Sequence, residues 1–297
     1  MFDLAFLLAP VLVFFFLGIL LRKSSVLDEH ASGVLLKLFY HLTLPALLLS
    51  VMPYVVMNAS FFFLPLIAAS IILLTLAASI ITGKALRMEN RSLALFLTGS
   101  VIMNLGFVMP FVQAFYGDDG LARLFVFDIP NGLSASALAF FFAKREGGPG
   151  KRNPVKLIIT SPPLLALLAG ILMNAFSLRP APIAIAVLHS IGGLTIPLIL
   201  LGLGASFSMA KINPLHLAAL MALRMALGLA LGLWLAGLFR LEGIDRAVVV
   251  LSASAPAGFT TLIFGTPEKP DGEFASTLAA SGMITAMLLI PVLLTIL

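Results

Sequence analysis

Ser100-Val101-Ile102-Met103-Asn104-Leu105-Gly106-Phe107-Val108-Met109-Pro110 reads as the middle of an apolar helix that cannot run unbroken. Pro110 has no N–H, so the Gly106 carbonyl four residues earlier loses its donor. Gly106 permits close backbone approach, and Asn104 carries both hydrogen-bond donors and an acceptor. In lipid a released carbonyl must find another partner. A second stretch, Ser252-Ala253-Ser254-Ala255-Pro256-Ala257-Gly258, has the same character, with Pro256 releasing the Ser252 carbonyl among small residues. An offset of 152 residues carries Asn104 onto Pro256, so the two breaks stand at corresponding places in the two halves of the chain. Paired interruptions of this kind point to a transporter site near the bilayer midplane.

The surrounding composition decides the class. Of 297 residues, 61% are hydrophobic and only 10% charged, with a mean hydropathy of +1.13. A globular chain carries about 25% charged residues. The expected class is therefore an all-α polytopic membrane protein embedded in a lipid bilayer. Apolar runs separated by polar breaks place ten spans at 4–21, 33–53, 60–82, 92–116, 121–143, 154–176, 181–206, 214–239, 246–265 and 273–296. The first run lacks a basic region before Asp3 and a small-residue cleavage site, and Arg22-Lys23 follows it, so it reads as a retained helix. Cysteine is absent, which excludes disulfides and thiolate chemistry.

Orientation follows from the cations. With the N-terminus outside, the inner loops and helix ends hold twelve Lys and Arg, and the outer ones only Arg123, Arg179, Arg240 and Arg246. That bias predicts both termini outside, and the net charge of +5 reports topology rather than a nucleic-acid partner. Lys37, just inside span two, reaches the interface by snorkelling. A basic, Gly-rich connection at 144–153 divides the chain into halves at 1–143 and 154–297. Five spans per half is odd, so homologous halves insert with opposite topology. Leu42-Thr43-Leu44-Pro45 recurs as Leu194-Thr195-Ile196-Pro197, and Asp119-Gly120 as Asp271-Gly272, both at the same offset of 152. The fold expected is two inverted five-helix repeats, with Pro45 and Pro197 as a second symmetric pair suited to hinge or packing roles.

A half-helix starting at a midplane break presents unpaired N–H groups and a positive dipole end, which suits an anion. The candidate binding residues are Asn104, Leu105, Gly106 and Pro110 in span four and Ala255, Pro256 and Ala257 in span nine. Two ionisable groups lie deep. Asp128 is seven residues into span five with Asn131 on the same face at i+3, and leaving water disfavours the charged form of any carboxylate, which suits a proton-coupling group. Arg224 is ten residues into span eight, where it must pair with Asp128 or freed carbonyls, or attract substrate. His41 and His189 read as hydrogen-bonded core histidines. An enzyme is not expected, because an intramembrane aspartyl protease needs two carboxylates sharing a site and no nucleophile turn is present. The absence of a Walker motif excludes ATP as a driver from within this chain. The coupling ion is H⁺ or Na⁺, the latter held by the carbonyls of Gly106 and Ser252. No other metal or cofactor is implied.

Several segments together resemble the auxin efflux carrier family, the PIN-like group that includes bacterial malonate and malate carriers. They are Phe39-Tyr40-His41-Leu42-Thr43-Leu44-Pro45-Ala46-Leu47-Leu48, Asn104-Leu105-Gly106-Phe107-Val108-Met109-Pro110, Phe127-Asp128-Ile129-Pro130-Asn131, the run from Ile196 to Ser206, Arg224, and Ala255-Pro256. The resemblance implies that spans four and nine cross at their breaks. It also implies a scaffold of spans 1, 2, 6 and 7, a moving elevator-type transport unit of spans 3–5 and 8–10, and a homodimer. Asn104 and the crossover backbone would then bind a substrate carboxylate, and span two, including Leu47, would wall the pocket. Localisation would be the bacterial inner membrane. Plant members differ in carrying a long central loop and charged residues in span three, whereas Ser60 to Gly83 holds no charge here. The function expected is secondary transport of small organic anions by alternating access. A sodium-coupled carrier of bile-acid-transporter type is the alternative, with a channel or membrane receptor behind it.

Overall fold

The computed structural model describes residues 2–88, 90–145, 156, 159–209, 214–258 and 270–297. Among them the regular secondary structure is all helical, apart from one isolated antiparallel bridge between Met103 and Ala257. Six segments are long and apolar enough to cross a membrane: Phe6–Lys23, His30–Tyr54, Ser60–Ala85, Pro182–Ala205, Pro214–Leu238 and Thr277–Ile296. Most of the basic connection, residues 146–155, and Lys211 and Lys269 lie outside the described residues.

The helices follow from ordinary signals. Helix α1 (Phe2–Lys23) ends on two cations that complement its negative end. Helix α2 (Glu29–Leu38) is capped by Asp28, whose carboxylate accepts the Ala31 N–H at 2.6 Å. A π-helical segment (Phe39–Thr43) leads into α3 (Leu44–Val51) and a 3₁₀ turn (Met52–Tyr54). The Leu44 N–H reaches back five residues to the Phe39 carbonyl, and the wide turn falls just before Pro45, which has no N–H for the regular ladder. Next come α4 (Ser60–Ala85), α5 (Asn90–Val101) and α6 (Leu105–Arg145), which kinks at Gly117 with φ +56 and ψ −149, a conformation glycine alone adopts readily. The second half holds α7 (Pro162–Ala175), α8 (Pro182–Gly192) and α9 (Thr195–Ala205). Pro197 is the third residue of α9, where a missing N–H costs no intrahelical bond. Helix α10 (Pro214–Met221) passes through a second π-helical segment (Ala222–Leu227) into α11 (Gly228–Leu238), followed by α12 (Gly243–Ala253) and α13 (Pro270–Ile296).

The chain forms two compact units. The first comprises Met1–Asn58, Met109–Val126 and Val155–Ser206. Inside it α1 and α9 meet backbone to backbone: a Cβ on Gly204 would lie 2.1 Å from the Phe15 carbonyl oxygen, and one on Gly18 2.5 Å from that of Leu201. Small residues permit such approach in membranes, where packing rather than hydrophobicity joins helices. Leu47 is buried against Gly192, whose Cβ would stand 3.0 Å from the Leu47 Cα. Asn174 Nδ2 donates to the carbonyls of Met52 and Val55 at 2.9 and 2.7 Å, and Arg179 donates to that of Pro53 while lying 5.1 Å from the Tyr54 ring centre. These bonds hold the open end of the 3₁₀ turn. A cavity of about 550 Å³ in this unit is lined by Ser50, Tyr54, Tyr116, Asp118, Asp119 and His189 among others. His189 and His41 are both exposed rather than core residues, and His41 Nδ1 lies 3.1 Å from the Lys37 carbonyl.

The second unit comprises Ala59–Val108, Phe127–Pro154 and Phe207–Leu297. Helix α4 packs on α5, α11 and α12, and Ser60 Oγ donates to Asp245 Oδ2 at 2.5 Å. Phe96, Leu220, Ala257 and Leu278 form a buried apolar cluster. The breaks of spans four and nine both lie in this unit.

Candidate functional site

Helix α5 stops at Val101 and α12 at Ala253, which is why spans four and nine are absent from the long apolar helices. The chain between α5 and α6, Ile102-Met103-Asn104, is extended, and so is the stretch approaching Gly258. They run antiparallel. The Asn104 N–H donates to the Pro256 carbonyl and the Gly258 N–H to the Ile102 carbonyl, each at 2.8 Å. The break in span four therefore lies earlier than Gly106 and Pro110 suggest, and both of those residues sit inside α6. The reason is non-local: backbone groups leave a helix in an apolar medium only where other partners wait, and the partners of Ile102 and Asn104 are on the other break.

With its neighbours bonded across the bridge, Met103 points its own N–H and carbonyl the opposite way. Asn131 receives both. Its Oδ1 accepts the Met103 N–H at 2.9 Å, and its Nδ2 donates to the Met103 carbonyl at 3.0 Å and to Asp128 Oδ1 at 2.8 Å. Asn131 is 6% exposed and acts as a one-residue third strand. The Met103 N–H fixes which end of the amide accepts, and so turns Nδ2 toward the Met103 carbonyl and Asp128. Spacing at i+3 shows that Asp128 and Asn131 meet, but the Met103 contact spans 28 residues and left no local signal.

Arg224 projects from the second π-helical segment and is 1% exposed. Of the alternatives open to it, the structure shows freed carbonyls: Nε donates to Ala255 at 3.3 Å, Nη1 to Ser100 and Val101 at 3.2 Å each, and Nη2 to Ala253 at 2.6 Å. Those of Ser100, Val101 and Ala253 are the last carbonyls of α5 and α12, which have no intrahelical donors and form the negative ends of two dipoles, and that of Ala255 lies two residues beyond α12. Gly228 makes room, since a Cβ there would lie 2.1 Å from the Ala253 oxygen and 2.8 Å from Nη2. Asp128 is not among the partners of Arg224.

Asn104 is the N-cap of α6. Its Oδ1 accepts the Phe107 N–H at 3.2 Å, as side chains of this type do at helix starts. Its Nδ2 is buried without a partner, on a residue only 3% exposed. Leu105, Ala255 and Ala257 are buried beside it in the same unit, with Pro256 supplying the bridging carbonyl. Of the two carbonyls expected to be free for a cation, that of Ser252 accepts the Ala255 N–H at 3.2 Å, whereas Pro110 has no N–H to offer Gly106. The Oγ atoms of Ser252 and Thr75 are also buried without partners. Leu47, expected in the pocket wall, belongs to the first unit.

No family model matches the chain. It is 22% identical over 286 residues to an uncharacterized transporter of Methanothermobacter thermautotrophicus, covering 95% of this chain and 94% of the relative. It is likewise 22% identical over 266 residues to an uncharacterized transporter of Methanocaldococcus jannaschii, covering 86% of each. Similarity along nearly the whole length to proteins named as transporters, together with an all-helical structure bearing six apolar spanning segments, supports an integral membrane transporter.

Proposed function

We propose that the chain is a secondary active transporter of small organic anions that works by alternating access at the crossover of spans four and nine. The observation that carries this reading is the unpartnered Asn104 Nδ2 at the N-terminus of α6. A buried amide donor without an acceptor is costly, and a carboxylate oxygen would complete it while lying at the positive end of the α6 dipole. Asn104, Leu105 and Gly106 with Ala255, Pro256 and Ala257 form the binding region in this reading. Malonate, malate and auxin-like acids fit such a donor set.

The architecture proposed is ten spans in two inverted repeats, 1–143 and 154–297, joined by the basic inner linker. Spans 1, 2, 6 and 7 form the scaffold and the remainder the moving unit. What supports this division is that α1, α2, α3, α7, α8 and α9 pack into a compact unit of their own, although Met109–Val126 joins them there. The carrier acts as a homodimer in the plasma membrane, both termini outside, with Pro45 and Pro197 as hinges.

Purified protein in proteoliposomes should accumulate a carboxylate from a panel of mono- and dicarboxylates. Asn104→Ala is expected to weaken binding about 10- to 100-fold, the usual worth of a hydrogen bond to a charged group. Unchanged affinity across the panel removes Asn104 from the site. Asp128 is the proposed proton carrier, so Asp128→Asn should leave uptake indifferent to an imposed pH gradient, and preserved dependence sinks that role. A sodium-coupled cycle has one observation on its side, the Gly106 carbonyl that Pro110 cannot serve. Uptake with sodium replaced by choline separates the two.

A further inference from the structure

We propose that Arg224, without touching the substrate, sets the sign of charge that the crossover accepts. The inference rests on the organic-anion reading and adds the electrostatic origin of its selectivity. Helix ends carry about half an elementary charge each. Two C-terminal ends converge here, those of α5 and α12, and one N-terminal end, that of α6. Their sum is about half a negative charge, which by itself favours a cation. The guanidinium stays charged under any ordinary condition. Bonded to both C-terminal ends, it shifts the sum to about half a positive charge.

No carboxylate is paired with Arg224 among the described residues; Asp128, which reaches Met103 through Asn131, stands at the same crossover, and with its proton bound it leaves these carbonyls as what opposes the Arg224 charge. Its partner Val101 is three residues from Asn104, which at 3.8 Å per residue keeps the two Cα atoms within about 11 Å. Arg224 Nη1 stands a further 3.2 Å beyond the Val101 carbonyl oxygen, and over about 10–15 Å in an environment of intermediate dielectric a unit charge changes the affinity of an anion by about fivefold to fifteenfold. Arg224 is thus a positioning residue with a long-range electrostatic effect. Its bonds hold two half-helix ends together, and its charge biases the site beside them.

The two roles separate by comparing an acid with its uncharged amide. The probes are malonate against malonamide and indole-3-acetate against indole-3-acetamide, measured by equilibrium binding to the full chain in lipid nanodiscs. Arg224→Gln removes the charge and keeps two donors. Arg224→Lys keeps the charge and loses the fork. Arg224→Gln should weaken acid binding at least about fivefold while amide binding moves less than about threefold. Arg224→Lys should keep the preference for acid over amide, even with a lower melting temperature. If Arg224→Gln weakens acid and amide equally, or leaves acid binding intact, the inference is overturned and the carrier reading stands. If Arg224→Gln does not fold, Arg224→Lys decides alone: a retained acid preference supports the inference and a lost one overturns it. Wild-type protein that binds neither acid nor other carboxylates overturns the organic-anion reading itself, and this inference with it.

Discussion

Asn131→Leu is expected to lower the stability of the purified protein by about 2–5 kcal/mol and to abolish uptake. Leucine keeps the branched outline and the number of side-chain heavy atoms of asparagine, so the principal loss is one of hydrogen bonds. The Met103 N–H and carbonyl both lose their side-chain partner, and each buried polar group left unpaired costs about 1–3 kcal/mol. Neither can turn to the opposing stretch, where the bridge already uses the groups of Asn104, Ile102, Pro256 and Gly258. Thermal denaturation in detergent checks the size of the effect. Stability within about 0.5 kcal/mol of wild type, the usual range for an inconsequential surface change, contradicts the role given to Asn131.

Gly204→Val is the second large effect, in the other unit. Its Cβ would fall 2.1 Å from the Phe15 carbonyl oxygen and 3.1 Å from the Gly18 Cα. Both obstacles are backbone, so no side-chain rotation relieves the clash and α1 must move away from α9. Overpacking usually costs about 1–3 kcal/mol, and a rigid backbone contact puts this case at the upper end. Gly33→Ala is the internal control. Nothing lies within 4 Å of a Cβ at Gly33, which is inside α2, so alanine should stabilise the helix by about 0.5–1 kcal/mol. Melting temperatures that move the same way for both variants contradict the close contact of α1 with α9.

The existence of the two interruptions was legible because proline and glycine mark weak points in a helix, and their shared offset of 152 residues tied them together. Their exact place was not. Pro110 and Gly106 are helical, while Ile102 and Met103 are extended for the sake of partners far along the chain. Depth alone singled out Arg224 and Asp128 and left their partners open. Four carbonyls satisfy Arg224 and an amide reaches Asp128, but carbonyls belong to every residue and leave no trace in a sequence. The π-helical segments before Leu44 and around Arg224 were equally hidden. Proline explains the first only after the structure shows it, and the second carries no proline at all.

The antiparallel bridge also imposes an order on the making of the protein. Asn104 emerges from the ribosome 152 residues before Pro256, and at about 5–20 residues per second that interval is about 8–30 s. During it the first break has no strand to pair with. Asn131, only 28 residues behind Met103, arrives within a few seconds at the same rate and can occupy the Met103 backbone at once. A ribosome stalled between Asn131 and Pro256 should therefore carry a first half whose Met103 amide already resists exchange with solvent, while that of Asn104 still exchanges freely.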